Sequence, residues 1–126
     1  MSSKHVVVAI SGASGSIYGI RCLQMLREIS DVVAHLVVTP SAKSTIGVET
    51  KFSISEIEKL ADEVHSPRDI GASIASGSFQ TSGMIVAPCS IKMLSAIANS
   101  FGSDLVSRAA DVTLKEKRPL ILMVRE

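Results

Sequence analysis

Residues 6–15 read Val-Val-Val-Ala-Ile-Ser-Gly-Ala-Ser-Gly, five apolar residues followed at once by a loop of small ones. Four of the first five side chains are β-branched, and no polar residue alternates with them. This pattern is typical of a strand that is buried on both faces of a parallel sheet. After the loop, apolar residues recur at helical spacing from Ile17 to Leu26. The stretch therefore predicts a strand, a tight loop and a helix, the first unit of an α/β fold.

The same type of apolar strand returns three times along the chain, at residues 33–38, 84–87 and 120–124. Helical patterns lie between these strands, at about 41–49, 55–64, 90–99 and 104–117. Ser55 and Glu58 have the spacing of a capping box for the helix at 55–64. The alternation predicts one domain over residues 1–126, with a Rossmann-like or flavodoxin-type three-layer α/β/α sandwich and a mostly parallel sheet.

The composition of the chain argues against two classes of binding partner. Aromatic residues make up 3% of the chain, and 13 basic residues against 12 acidic ones give a net charge of +1. Proteins that bind single-stranded nucleic acid stack the bases on aromatic rings or use a basic surface. Binding to an anionic membrane also needs a basic surface, so neither a nucleic acid nor a membrane is expected as a partner. No apolar run approaches the roughly 18 residues of a membrane span. Two widely separated cysteines, Cys22 and Cys89, predict reduced thiols in the cytoplasm.

Ligands of parallel α/β sheets bind at the carboxyl ends of the strands, so the residues that follow each strand are the candidates. The loop at 11–16 has small residues and opens a helix, as phosphate-binding loops do. Its glycines do not match G-x-G-x-x-G, and no P-loop lysine follows. The loop is either a phosphate cradle or a tight turn without a ligand. Ser90 likewise either caps a helix or adds donors to the same crevice.

Other candidate residues keep two interpretations each. Cys89 ends a strand and is expected to be a packed thiol rather than a nucleophile. Arg108 and Lys115 share a helix face that is either solvated or, together with the Arg125–Glu126 pair, suited to a phosphate leaving group. The three histidines, at positions 5, 35 and 65, show no ligand spacing, so no metal site is expected.

Several segments, taken in order, resemble the UbiX/Pad flavin prenyltransferase family, whose members were formerly described as aromatic-acid decarboxylases. The matching segments are 8–15, 48–50, 75–78, 83–90, 108–116 and 118–126. The Arg-Ala-Ala-Asp-Val segment from Arg108 and the Val-Arg-Glu end at Glu126 are the most specific of them. The resemblance covers essentially the whole chain.

The resemblance implies an FMN-binding transferase that uses no metal. The family transfers a dimethylallyl group from dimethylallyl monophosphate to N5 and C6 of reduced FMN. The product, prenylated FMN, serves a UbiD-type decarboxylase. Family members assemble as homo-oligomers, often dodecamers, with sites at subunit interfaces. They continue beyond the Arg-Glu pair, so the family's C-terminal portion is expected to be absent from these 126 residues.

The resemblance also assigns roles to positions of this sequence. Glu49 matches an acid–base residue, and Thr39 stands where the family usually has serine. The residues implied to bind FMN are Gly12, Ala13, Ser14, Thr39, Ser90, Ile91, Lys92, Met93 and Arg125. The residues implied to act in catalysis are Ser14, Glu49, Arg108, Lys115 and Glu126, of which Arg108, Lys115 and Glu126 handle the prenyl phosphate.

Two alternatives stay open at this point. One is an FMN-dependent decarboxylase of the flavin-containing cysteine decarboxylase group, which shares the fold. The other is a non-catalytic FMN-binding fragment. The residue types at Arg108, Lys115 and Glu126 favour the prenyltransferase over the decarboxylase.

Overall fold

A computed structural model describes residues 3–126 of the chain. Its strands are β1 (Lys4–Ile10), β2 (Val32–Val38), β3 (Glu63–His65), β4 (Gly83–Cys89) and β5 (Leu120–Val124). Its helices are α1 (Ser16–Arg27), α2 (Pro40–Glu49), α3 (Ile54–Glu58), α4 (Ile91–Ala98) and α5 (Leu105–Lys115). A 3₁₀ turn spans Ser73–Ala75.

All five strands are parallel and lie in the order β3-β2-β1-β4-β5. β2 and β3 lie on one side of β1, and β4 and β5 lie on its other side. The carboxyl ends of β1 and β4 therefore flank the switch point, where sheets of this class bind their ligands. The predicted parallel, doubly wound architecture is confirmed.

Two apolar layers explain why the strands lack polar alternation. Val8 and Ile10 point to one face of β1 and pack in a cluster with residues of α1, α2 and α3. Val7 and Ala9 point to the other face and pack in a cluster with residues of α4 and α5. Because helices cover both faces, most inward positions of the central strands are apolar, and the buried His35 of β2 departs from this pattern.

Two local predictions were wrong. β3 was missed because it is a three-residue edge strand with exposed Glu63 and Val64, so it carries no apolar run. The capping box of α3 is formed by Ser53 and Glu56, not by Ser55 and Glu58, and the helix ends at Glu58. Both serines have a glutamate three residues later, and the pattern alone does not separate them.

The burial of one residue sets the phase of α3. Ile57 is fully buried, and the helix that begins after Ser53 places it against the α1–α2 cluster.

At the edge of the sheet opposite β3, strand β5 leaves Ile121 and Met123 exposed. Across residues 3–126, no helix is both long enough and apolar enough to cross a membrane.

Candidate functional site

Ser11 joins the loops that follow β1 and β4. Its hydroxyl donates to the carbonyl oxygen of Pro88 at 2.7 Å and accepts from the N–H of Ser90 at 2.8 Å. Its own N–H also reaches Pro88 O, at 3.2 Å. Ser11 is 1% exposed, so these bonds lie in a dry environment. Sequence reasoning did not single out this residue, although a serine directly after a buried strand was a usable signal.

Close packing explains the small residues of the first loop. A Cβ on Gly12 would overlap the Cβ of Ser41 at the start of α2. Gly15 has a φ of 103°, and a Cβ there would lie 2.8 Å from Nε of Arg125. Ala13 is buried and donates its N–H to Ser11 O. Ser14 is the exposed residue of the loop.

The residues that follow β5 are bonded to this loop. Arg125 donates from Nε to the carbonyl oxygen of Ser14 at 3.0 Å, and its N–H donates to Cys89 O at 3.0 Å. Its guanidinium carbon lies 5.2 Å from the centre of the Tyr18 ring. The N–H of Ser14 donates to the backbone oxygen of Glu126 at 2.8 Å. Within residues 3–126 the other guanidinium donors of Arg125 make no hydrogen bond, so they can meet a ligand.

Glu49, the last residue of α2, reaches the start of α1. Its Oε1 accepts from the N–H of Gly15 at 3.0 Å and from that of Ser16 at 3.3 Å. The Gly15 N–H is the main cause that lowers the pKa of Glu49; the Ser14 hydroxyl, the Ser16 N–H and the charge of Arg125 add to it, against desolvation. The anion at the start of α1 is thus a carboxylate of the chain itself, held ionised.

Helices α2 and α4 also begin at this edge of the sheet. The hydroxyl of Thr39 accepts a hydrogen bond from the N–H of Ala42 at 3.2 Å. The hydroxyl of Ser90 accepts one from the N–H of Met93 at 3.1 Å. Capping by Ser90 is therefore confirmed. Ile91 and Lys92 are exposed in the first turn of α4, whereas the side chain of Met93 is 8% exposed and packs in the core.

Within the described chain, Arg108 and Lys115 form no hydrogen bond or salt bridge with this group, and Lys115 lies away from it. Both are exposed on α5, and neither forms a salt bridge with another residue in the range 3–126. Lys115 ends α5 just before β5 begins, whereas Arg125 follows the end of β5. A strand of this length separates its two ends by about 16 Å, at roughly 3.3 Å per residue. Glu126, by contrast, is at the loop.

Two further predictions can be compared with the structure. Cys89 is fully buried, and burial raises the pKa of its thiol, as expected of a packed residue rather than a nucleophile. The histidines show no ligand spacing in the sequence, yet strand pairing brings ligand atoms of His5, His35 and Glu63 within 4.8 Å of one another. Sequence spacing could not show this, because the three residues lie on three different strands.

Comparison with known proteins places this arrangement in a family. The Flavoprotein family model matches residues 1–125. The flavin prenyltransferase UbiX of Escherichia coli K12 is 57% identical over 123 residues, which are 98% of this chain and 65% of that protein. The chain therefore spans just under two thirds of the length of this curated relative.

Solved structures agree in fold and sequence. AnUbiX (PadA1), in complex with FMN and dimethylallyl pyrophosphate, superposes with a TM-score of 0.95 at 48% identity, over 98% of this chain and 65% of that one. A dodecameric FMN-dependent UbiX-like decarboxylase from Escherichia coli O157:H7 gives the same TM-score and identity, over 97% and 66% of the two chains. The chain belongs to the Flavoprotein family, in its UbiX/Pad branch.

Proposed function

We propose that this chain forms the FMN-binding part of a flavin prenyltransferase, which transfers a dimethylallyl group from dimethylallyl monophosphate to reduced FMN. The observation that carries the proposal is the meeting of the Ser14 loop, Glu49 and Arg125 at the switch point of the sheet. The similarity to the UbiX enzymes supports the choice of reaction.

The donor set suits FMN. The starts of α2 and α4 offer backbone N–H groups and the hydroxyls of Thr39 and Ser90, which suit a phosphate. Gly12 and Ala13 let a ligand approach the backbone, and the unbonded guanidinium donors of Arg125 suit the carbonyl groups of a flavin ring. Ile91, Lys92 and Met93 would contribute through the backbone of the first turn. When bound, reduced FMN supplies the N5 and C6 atoms that accept the prenyl group.

Glu49 is assigned to proton handling. Ring closure at C6 releases a proton, and a carboxylate held ionised at this edge can accept it. Ser14 lies beside this carboxylate and contributes to its lowered pKa, which gives it a role in positioning the base. The N–H bonds from Gly15 and Ser16 fix the direction of the carboxylate.

Arg108, Lys115 and Glu126 are assigned to the prenyl phosphate, whose departure places negative charge where cations stabilise it. We assign Arg108 and Lys115 to the site of a neighbouring copy, because both are exposed on α5 and one chain leaves Lys115 far from Arg125. A homo-oligomer, by analogy a dodecamer, would complete each site. The exposed apolar residues of β5 support such contacts.

The prenylated FMN would pass to a UbiD-type decarboxylase. The free thiols of Cys22 and Cys89 suit a cytoplasmic setting.

The test is a single anaerobic incubation of the protein with reduced FMN and dimethylallyl monophosphate, followed by mass spectrometry of the extracted flavin. A flavin heavier by one prenyl unit is the expected product. Glu49→Gln is expected to keep FMN and form product more slowly, whereas Glu28→Gln, which removes an exposed carboxylate elsewhere, keeps the original rate.

Two other outcomes would contradict the proposal. Protein that binds FMN and forms no product would be a non-catalytic FMN-binding fragment. Release of CO₂ from a carboxylic substrate by this protein alone would indicate the decarboxylase alternative.

A further inference from the structure

Three histidines form a line across β1, β2 and β3. Nδ1 of His5 lies 2.8 Å from Nε2 of His35, and Nδ1 of His35 lies 2.9 Å from Nε2 of His65. In the strand register His35 pairs with Val7 and His65 pairs with Val37, so each histidine sits two positions further along its strand than the one before. The line therefore runs diagonally over one face of the sheet.

A carboxylate lies beside the middle of this line. Glu63 pairs with His35 across β2 and β3, and its Oε2 is 3.8 Å from Nε2 of His35. His35 is fully buried, His5 is partly buried, and the Glu63 side chain is 52% exposed. The cluster thus has one buried imidazole at its base and an exposed carboxylate on its solvent side, which gives an ion a way in.

The distances are close to those of a metal site. Bonds of about 2.1 Å in a tetrahedral arrangement separate neighbouring ligand atoms by roughly 3.3 Å. The His5–His35 contact would open by about half an ångström, and the His35–Glu63 contact would close by about the same amount. Closing the His35–Glu63 contact needs only movement of the exposed Glu63 side chain, whereas opening the His5–His35 contact needs a small rotation of the partly buried His5 ring.

We propose that Nδ1 of His5, Nε2 of His35 and Oε2 of Glu63 bind a divalent transition-metal ion, with Zn²⁺ the best match, and leave one position to water. Two imidazoles and a carboxylate are ligands that Zn²⁺ takes in proteins. His65 adds the supporting contact that such sites require. With Nδ1–H of His35 donated to Nε2 of His65, Nε2 of His35 carries no proton, and the ion would replace the hydrogen bond that this nitrogen accepts from Nδ1 of His5.

A neighbouring aromatic ring restricts the orientation of two of the three imidazoles. The aromatic ring of Phe79 packs edge-on against His5 and His35, with centroids 4.9 and 5.5 Å away, and limits how far these rings can turn.

This site is separate from the proposed flavin site. His5 lies in the first half of β1, and Glu63 is at the edge of the sheet, whereas the flavin candidates follow the carboxyl ends of β1, β4 and β5. An ion held here would tie the short edge strand β3 to its neighbour β2 and, through His5, to β1. The inference does not depend on the prenyltransferase assignment.

Titration calorimetry with Zn²⁺ on the metal-free full chain tests the proposal. One ion per chain is the expected stoichiometry, and His5→Gln and Glu63→Gln should each weaken binding at least ten-fold. His65→Gln removes only the supporting contact and should weaken binding by roughly ten-fold. Glu28→Gln is the matched control and should bind Zn²⁺ like the original chain. Glu63 is exposed, so its variant is expected to fold, which circular dichroism checks.

Co²⁺ as a spectroscopic probe adds an independent measurement. Weak visible bands without a thiolate charge-transfer band are expected for nitrogen and oxygen ligands. A thiolate band would place the ion on Cys22 or Cys89 and overturn the proposal. Absence of Zn²⁺ binding, or equal affinity in the original chain and Glu63→Gln, would overturn it as well. Unchanged FMN affinity in Glu63→Gln is expected, because the two sites are separate.

Discussion

Arg125 donates a hydrogen bond from Nε to the carbonyl oxygen of Ser14, across 111 positions of sequence. The residue that follows the last strand thus holds the loop that follows the first strand. The N–H of Ser14 in turn donates to the backbone oxygen of Glu126, so the two segments are tied in both directions. The candidate flavin site is therefore built jointly by the loop after β1 and the residues after β5.

Replacement of Arg125 by lysine tests the importance of this link. Lysine keeps the charge but has no planar guanidinium to reach Ser14 O and lie over Tyr18. We expect the dissociation constant for FMN to rise about 10-fold or more, from the loss of a charge-assisted bond of roughly 1.5–3 kcal/mol. Quenching of FMN fluorescence measures it. Arg21→Lys, on the exposed side of α1, is the control, and an unchanged constant in Arg125→Lys would refute the role.

Gly15 and Gly47 form a matched pair for backbone conformation. Gly15→Ala places a Cβ at a φ of 103° and against Arg125, so we expect a loss of about 1–3 kcal/mol in the free energy of unfolding. Gly47 lies in α2, and a Cβ there meets no atom within 4 Å. Gly47→Ala should stabilise the protein by about 0.5–1 kcal/mol. Urea unfolding measures both, and equal effects of the two changes would contradict this account.

The acid sensitivity of the fold should depend on Glu49. Its pKa in the folded chain is lowered from 4.5, chiefly by the Gly15 N–H. A lowered pKa means that the unfolded chain takes up the proton first. The stability contributed by Glu49 is therefore present above the ordinary pKa and is lost as pH falls through the lowered value. Glu49→Gln should accordingly be less stable than the original chain near neutral pH, and the gap should close in acid.

Thermal unfolding at a series of pH values, from about 7 down to about 3, measures that gap. Glu28→Gln removes an exposed carboxylate outside the site and should follow the original chain at each pH. If the difference in stability between the original chain and Glu49→Gln were the same at every pH, the charge of the carboxylate would not contribute to stability.

Ser11 is predicted to be a structural requirement of the site. Ser11→Ala leaves the N–H of Ser90 and the carbonyl of Pro88 without their side-chain partner in a buried setting. We expect a loss of about 1–3 kcal/mol in the free energy of unfolding. Ser44→Ala, at an exposed position of α2, should change it by less than about 0.5 kcal/mol. If both variants unfold at the same urea concentration, the link between the two loops has no energetic importance.

Local pattern determined most of the fold. β1 and β5 were recognisable from their apolar runs at residues 6–10 and 120–124, and helices between them follow from periodicity. β3 was not, because an exposed edge strand of three residues has no such pattern. Ser53 and Ser55 are equivalent as capping residues in the sequence. Ser53 begins α3 because a helix that starts there brings Ile57 into the core, and only packing decides this.

The sequence by itself determined the layered α/β architecture and the strand-end residues Ser14, Ser90 and Arg125, since both follow from the order of elements along the chain. Only the tertiary structure decided how residues distant in sequence meet. It placed Glu49 on the Gly15 N–H, separated Lys115 from Arg125 by the length of β5, and set His5 and His35 beside Glu63. Strand order and register cause these relationships, and neither can be read from spacing along a single chain.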